Sequence, residues 1–175
     1  MKTLTLIICM MMVNDFTLFY FNKESEISNW TVVNDVVMGG RSEADFALNS
    51  EGNGVFSGQV SLENNGGFSS VRYRFESLDV TKYKKVILKL KGDGKAYQFR
   101  LKSDLNHAHS FVKDFQTAGE WESIEINFED MYPRFRGRIL NMPNYPGENM
   151  CEIAFLIANK RAEAFRLEIE SISLK

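Results

Sequence analysis

Phe56-Ser-Gly-Gln-Val-Ser-Leu-Glu-Asn-Asn-Gly-Gly-Phe-Ser-Ser-Val-Arg-Tyr-Arg-Phe75 is the stretch whose periodicity decides the fold class. Phe56, Gly58, Val60 and Leu62 alternate with Ser57, Gln59 and Ser61. Past Gly67, Val71, Tyr73 and Phe75 alternate with Arg72 and Arg74. A period of two sends successive side chains to opposite faces of a pleated strand. Asn65-Gly66 between the runs tolerates positive φ, so the two strands are predicted to pair as a β-hairpin through a primed turn or bulge.

The pattern continues in both directions. Upstream, Thr17–Phe21 reads as a first, largely buried strand. Thr31–Val33 and Val36–Met38 are β-branched, apolar bursts flanking Asn34-Asp35 and broken by Gly39-Gly40. Valine favours a pleated surface, and asparagine, aspartate and glycine turn or bulge it. Asp45–Leu48 is a short strand and Glu51–Gly54 a turn. Downstream, Val86, Leu88 and Leu90 oppose Lys85, Lys89 and Lys91. Gly92-Asp93-Gly94 then leads into Tyr97, Phe99 and Leu101, alternating with Gln98, Arg100 and Lys102. That is a second predicted hairpin, and Ser110–Phe115 with Trp121–Phe128 a third. Met150–Ala158, nearly continuous in apolar residues, suits a central strand covered on both faces. A last alternating strand runs from Phe165 to Glu170.

About ten short strands and no amphipathic helix predict an all-β, two-sheet antiparallel β-sandwich of jelly-roll type. A parallel α/β architecture would need crossover helices that the chain lacks. The 175 residues suffice for one substantial core, and residues 17–175 are expected to form one sandwich after an extension, 1–16. Lys2 and the apolar run Leu4–Val13 resemble a secretory signal, yet no Ala or Gly precedes Gly39 to make a cleavage site, and the run is too short for a membrane span. Translation from Met10, Met11 or Met12 is the alternative, and the expectation is a cytoplasmic, monomeric protein.

With 21 basic against 23 acidic residues and a net charge of −2, nothing favours a polyanion, which argues against nucleic acid. Cys9 and Cys151 make no disulfide framework; Cys151 reads as a small buried hydrophobe. Gly92-Asp-Gly-Lys95 lacks the spacing of a phosphate loop and precedes a strand, not a helix. His107 and His109 would share one side of a strand but have no third metal ligand at a recognisable spacing. No catalytic residue, cofactor site or metal site follows from these patterns. Asn34, Asp35, Glu63, Asn64 and Asn65 offer oxygens that suit calcium and are equally turn formers. Trp30, Trp121, Tyr132 and Tyr145 would stack on sugar rings if exposed. Between Glu129 and Asn149 the pattern lapses around all three prolines. There Arg134, Arg136 and Arg138, on an extended backbone, would present three guanidinia on one side, to a carboxylate- or phosphate-bearing partner or to the chain's own acids.

Together, Trp30-Thr-Val-Val-Asn-Asp-Val-Val-Met-Gly-Gly-Arg-Ser42, Phe56-Ser-Gly58 and Ser61-Leu-Glu-Asn-Asn-Gly-Gly-Phe-Ser-Ser-Val-Arg72 resemble the complex I intermediate-associated protein 30 family. Leu90–Gly94, Tyr97, Phe135-Arg-Gly-Arg138 and Phe165–Ile169 agree in order and spacing. The resemblance implies a galactose-binding-like sandwich, similar to carbohydrate-binding modules. It also implies a non-catalytic assembly factor or chaperone for respiratory NADH:ubiquinone oxidoreductase. Lacking the long Arg- and Ser-rich targeting region of mitochondrial members, the chain looks like a prokaryotic-type member whose client need not be complex I. The preferred expectation is therefore a protein-binding module, with Asp35, Arg41, Glu63, Asn64, Arg72, Arg134, Arg136 and Arg138 as its candidate contacts, and the alternative a carbohydrate-binding module. In the first case one surface should join Asn34–Ser42, the Glu63–Phe68 tip and Arg134–Arg138, with Asp35 and Arg41 free to meet the client.

Overall fold

The computed structural model describes residues 15–175. The readings of Leu4–Val13 and Cys9 fall outside them. Among the described residues there are thirteen strands: β1 (Phe16–Tyr20), β2 (Trp30–Asn34), β3 (Glu43–Leu48), β4 (Gly54–Val60), β5 (Ser69–Asp79), β6 (Lys85–Lys91), β7 (Ala96–Lys102), β8 (Ser110–Gln116), β9 (Trp121–Asn127), β10 (Tyr132–Phe135), β11 (Arg138–Ile139), β12 (Asn149–Ile157) and β13 (Glu163–Leu174). They build two antiparallel sheets. One has the order β3-β4-β13-β6-β9, with β1 also paired to β13; the other has the order β11-β10-β8-β7-β12-β5-β2. The expected antiparallel sandwich is what the chain forms.

The predicted alternation sorts the side chains correctly. Val86, Leu88 and Leu90 of one sheet meet Tyr97, Phe99 and Leu101 of the other, all at most 1% exposed. Complete removal of such side chains from water contributes about 1.5–3 kcal/mol each to the collapsed state. As predicted, β12 lies in the middle of its sheet, between β7 and β5, and is buried from Met150 to Ile157.

The predicted hairpins are different. β4 and β5, flanking Asn65-Gly66, belong to opposite sheets, as do β6 and β7 across Gly92–Gly94 and β8 and β9 across Thr117–Gly119. Each turn-forming cluster is a corner where the chain crosses from one sheet to the other. At the first, Asn64 and Asn65 both take left-handed φ, 54° and 60°. The hairpins that do form are β3–β4, through the Glu51–Gly54 turn, β7–β8 and β10–β11. Val36–Met38 is no strand either: Asp35–Met38 is a 3-10 turn ended by Gly39 at φ 89°.

Two aromatic clusters close the ends of the sandwich. Trp30 is 6% exposed and stacks between Phe46 and Tyr73, with ring centroids 5.0 Å away on each side. Tyr145 is 3% exposed, packs on Phe111 and Phe128, and donates its hydroxyl to the Asn149 carbonyl at 2.7 Å. Both are core residues, so neither is a platform for sugars. Tyr145 also ties down the aperiodic segment 129–149.

Candidate functional site

The opening of the 34–42 segment is built inward. Asp35 is fully buried, and its Oδ1 accepts the Ser42 backbone N–H at 2.9 Å. Its Oδ2 accepts the Ser42 hydroxyl at 2.5 Å and the backbone N–H groups of Gly67 and Phe68 at 2.6 and 3.2 Å. Burial pushes this carboxyl up, but the Ser42 hydroxyl and the Gly67, Ser42 and Phe68 N–H groups together hold it below the usual carboxylate range. Gly40 and Gly66 make room for it: a Cβ at either would stand 2.3 or 2.6 Å from an Asp35 oxygen. Asp35 is thus a latch between Asn34–Ser42 and the Glu63–Phe68 corner, with no surface left for a client. Nor do its oxygens remain open to a cation. Arg41 reaches the same corner and pairs at 2.8 Å with Glu63, both side chains about two-thirds exposed. Such a surface pair contributes little to stability.

Arg134–Arg138 lies elsewhere. Five strand-to-strand steps separate β10 from β2, about 24 Å at the usual sheet spacing. The three arginines do not share a side. Arg136 and Gly137, at φ 46° and 80°, form the two-residue turn of the β10–β11 hairpin, and Arg138 pairs with Phe135. Positive φ at both central positions defines the primed hairpin turn. Only Arg134 points onto the broad face of the sheet.

That face, turned away from the core, assembles a cluster that no local motif announces. Register places Arg72, Ala154, Arg100, Val112 and Tyr132 side by side across five strands. In the adjacent row Arg74 opposes Glu152, which opposes Lys102, while Arg134 opposes Ser110. Arg74 Nε donates to the buried Glu152 carboxylate at 2.7 Å. Lys102 Nζ donates to the His107 and His109 carbonyls. Tyr132 donates its hydroxyl to Asp114. Arg100 donates to the Gln98 amide oxygen at 3.2 Å. Among the described residues, no carboxylate forms an ion pair with Arg72, Arg100 or Arg134. The Nε of Arg134 is buried without a hydrogen-bond partner. Burial, and then the positive charges of Arg72 and Arg134, push the Arg100 guanidinium down to about 10. Lys102 is lowered by burial and by Arg72 and Arg100, against the pull of Glu152. In this paired area five cations meet two carboxylates, on a chain whose net charge is −2.

Residues 19–169 match the family defined by Complex I intermediate-associated protein 30. The chain belongs to that family. A mitochondrial Complex I intermediate-associated protein 30 from Drosophila melanogaster is 25% identical over 90% of this chain and 62% of its own length. The protein of the same name from Mus musculus is 22% identical over 88% and 54%. The chain thus spans little more than half the length of these curated relatives. Among solved structures, the Family 11 Carbohydrate-Binding Module of the cellulosomal cellulase Lic26A-Cel5E of Clostridium thermocellum superposes with a TM-score of 0.66. Identity there is 19%, over 93% of this chain and 94% of that one. An exo-beta-agarase gives a TM-score of 0.59 at 12% identity, over 91% of this chain and 24% of that one. At such identities the likeness speaks for the jelly-roll, galactose-binding-like fold.

Other chemistry in this Complex I intermediate-associated protein 30 family member is sparse. Cys151 is 5% exposed, its thiol raised by burial and donating to the Lys102 carbonyl at 3.4 Å. The His107 and His109 rings stack at 5.2 Å, and no third ligand joins them: among the described residues no group of three or more His, Cys, Asp or Glu side chains is placed to hold a metal. No helix among those residues is long and apolar enough to cross a membrane. On the six-stranded sheet, a groove is lined by Tyr20, Lys89, Trp121 and Glu170, with Tyr20 56% and Trp121 36% exposed. Of the candidates read from sequence, Asp35, Arg41, Glu63 and Asn64 come together at the corner. Arg72 joins Arg134 across the charged face, and Arg136 and Arg138 sit at the hairpin edge. Arg74, Arg100, Lys102 and Glu152 were not among those candidates. The sequence signal for Arg74, Arg100 and Lys102 is the polar half of the β5 and β7 alternations, and Glu152 shows as the charged residue within the apolar run of β12.

Proposed function

We propose that this chain is a non-enzymatic protein-binding module that holds an assembly intermediate of respiratory complex I, or of another multi-subunit complex. Family membership supports the class of function. One observation carries the reading at the site: the open face of the seven-stranded sheet is charged rather than aromatic. A reader of neutral sugars stacks their rings on exposed aromatic side chains. Here the aromatic ring on the paired face, Tyr132, is half-buried and tied to Asp114, while Arg72, Arg74, Arg100, Lys102 and Arg134 are spread across the strands of that face. The non-catalytic reading is supported by the family, whose curated relatives are named as intermediate-associated proteins, and by the module-like fold.

The test is native electrophoresis of extracts from cells carrying the tagged chain, followed by mass spectrometry of each band. Comigration with a subcomplex, and absence from the finished complex, is the expected result. Migration at monomer size in every extract, with binding on a glycan array, would overturn it. The cytoplasmic location is part of the same proposal, and a mature N-terminus near Phe16 would contradict it. The groove beside Tyr20 and Trp121 supports a second reading, as a carbohydrate-binding module, with those exposed rings as the sugar platform. Loss of glycan binding in Trp121→Ala would establish it; glycan binding that survives the substitution would reject this groove.

A further inference from the structure

The row Arg72–Ala154–Arg100–Val112–Tyr132 alternates long polar side chains with small or buried ones. Ala154 and Val112 are buried and form the floor. Arg72 and Arg100 stand two strands apart, about 9.6 Å, with only a methyl group between their stems. With Ala154 4% exposed, the long side chains on either side cover it, which sets two guanidinia on one stretch of the face, and Arg134 approaches from the adjacent row. Neither Arg72 nor Arg100 has a carboxylate partner among the described residues, and the third arginine keeps a buried N–H unpaired. Grouping cations this way is unfavourable unless an anion completes it, because like charges repel and a buried donor without an acceptor costs free energy.

We propose that this row is a carboxylate-binding track that takes an extended acidic segment of the client polypeptide, an inference that rests on the protein-client reading above. Planar guanidinia match carboxylates through paired N–H donors. From Arg72 to Tyr132 the track crosses four strand spacings, about 19 Å, which an extended peptide of about six residues spans. Its far end is apolar: Ile139 opposes Arg134 in register and is 68% exposed. An exposed aliphatic side chain beside the last arginine suits a polypeptide better than a uronate chain or a free phosphate.

The test is titration of the full chain with a fluorescent Glu-rich decapeptide, by anisotropy at low and physiological salt. Competitors are its Gln counterpart, a hexauronate and inorganic phosphate. Arg100→Gln and Arg72→Gln should each weaken binding about ten- to hundredfold, as expected for a charge-assisted contact. The Gln peptide should fail to compete, and Arg166→Gln, on the other sheet, should change nothing. Both track variants should keep or raise the melting temperature, since each relieves repulsion. A lowered melting temperature with unchanged peptide affinity would make the arginines structural and overturn the proposal. Equal competition by phosphate, or tighter binding of the hexauronate, would also overturn it. If neither variant alters the assembly intermediate captured, the track is wrong while the client reading stands; if no intermediate is captured at all, the client reading itself has failed.

Discussion

Replacing Asp35 by Asn keeps the side chain's shape and removes its charge, which separates a structural latch from a client contact. In the native corner one oxygen receives one donor and the other receives three. The Asn carbonyl can still accept the Ser42 N–H, and the Ser42 hydroxyl can rotate to accept from the new amide. The Gly67 and Phe68 N–H groups then face another donor. Each donor left unsatisfied costs about 1–3 kcal/mol, so the two together should destabilise the fold by about 2–6 kcal/mol. In a domain of this size each kcal/mol moves the midpoint by about 2–4 °C, giving a fall of about 4–24 °C. Thermal and urea unfolding followed by circular dichroism measure both, with an unchanged urea slope expected. An Asp35→Asn protein that melts within about 1 °C of the wild type yet loses its partner would refute the latch and restore Asp35 as a contact.

Four further outcomes follow from the same structure. Because Asp35 titrates below its unfolded value, its contribution is complete above the unfolded value of about 4 and is lost as the pH falls through the lower folded value; the stability gap between wild type and Asp35→Asn should therefore narrow as the pH is taken down below about 4 in urea titrations. Gly66→Ala places a Cβ 2.6 Å from Asp35 Oδ2 and should cost about 1–3 kcal/mol as an overpacked site, read by the same unfolding assay. Arg136→Asn puts a non-glycine residue that tolerates positive φ well beside Gly137 and should raise stability by up to about 1 kcal/mol, without altering acidic-peptide affinity. Cys151 should react with a thiol reagent at pH 8 only at the rate of unfolding, so that mild denaturant accelerates labelling in step with loss of structure.

The facing of each strand was legible from the sequence, whereas its neighbour was not. Val86, Leu88 and Leu90 announce a buried face whatever lies beside them, because alternation is a property of one strand. The turn after Leu62 carries the same Asn and Gly whether the chain doubles back within a sheet or crosses to the other one. Local composition therefore suggested three hairpins where the chain turns three corners. The same limit hid the charged face. Arg100 shows in the sequence as one polar residue among several, and it gains meaning only when β12 sets Ala154 between it and Arg72. Asp35 misled for another reason: its donors, at Gly67 and Phe68, lie thirty residues along the chain, beyond any motif's reach.

Strand β13 bonds β4 and then β1 along one edge and β6 along the other, so that Phe16 pairs with Leu174. The six-stranded sheet therefore has no centre until its last strand has been made. A nascent chain lacking residues 163–174 holds β1, β4 and β6 with their shared edge missing, and their apolar faces exposed. Folding of this sandwich must be a late, nearly all-or-none event dominated by contacts remote in sequence, which are slow to form. The chain thus passes through a stage in which half of its own core is open to solvent and to other chains.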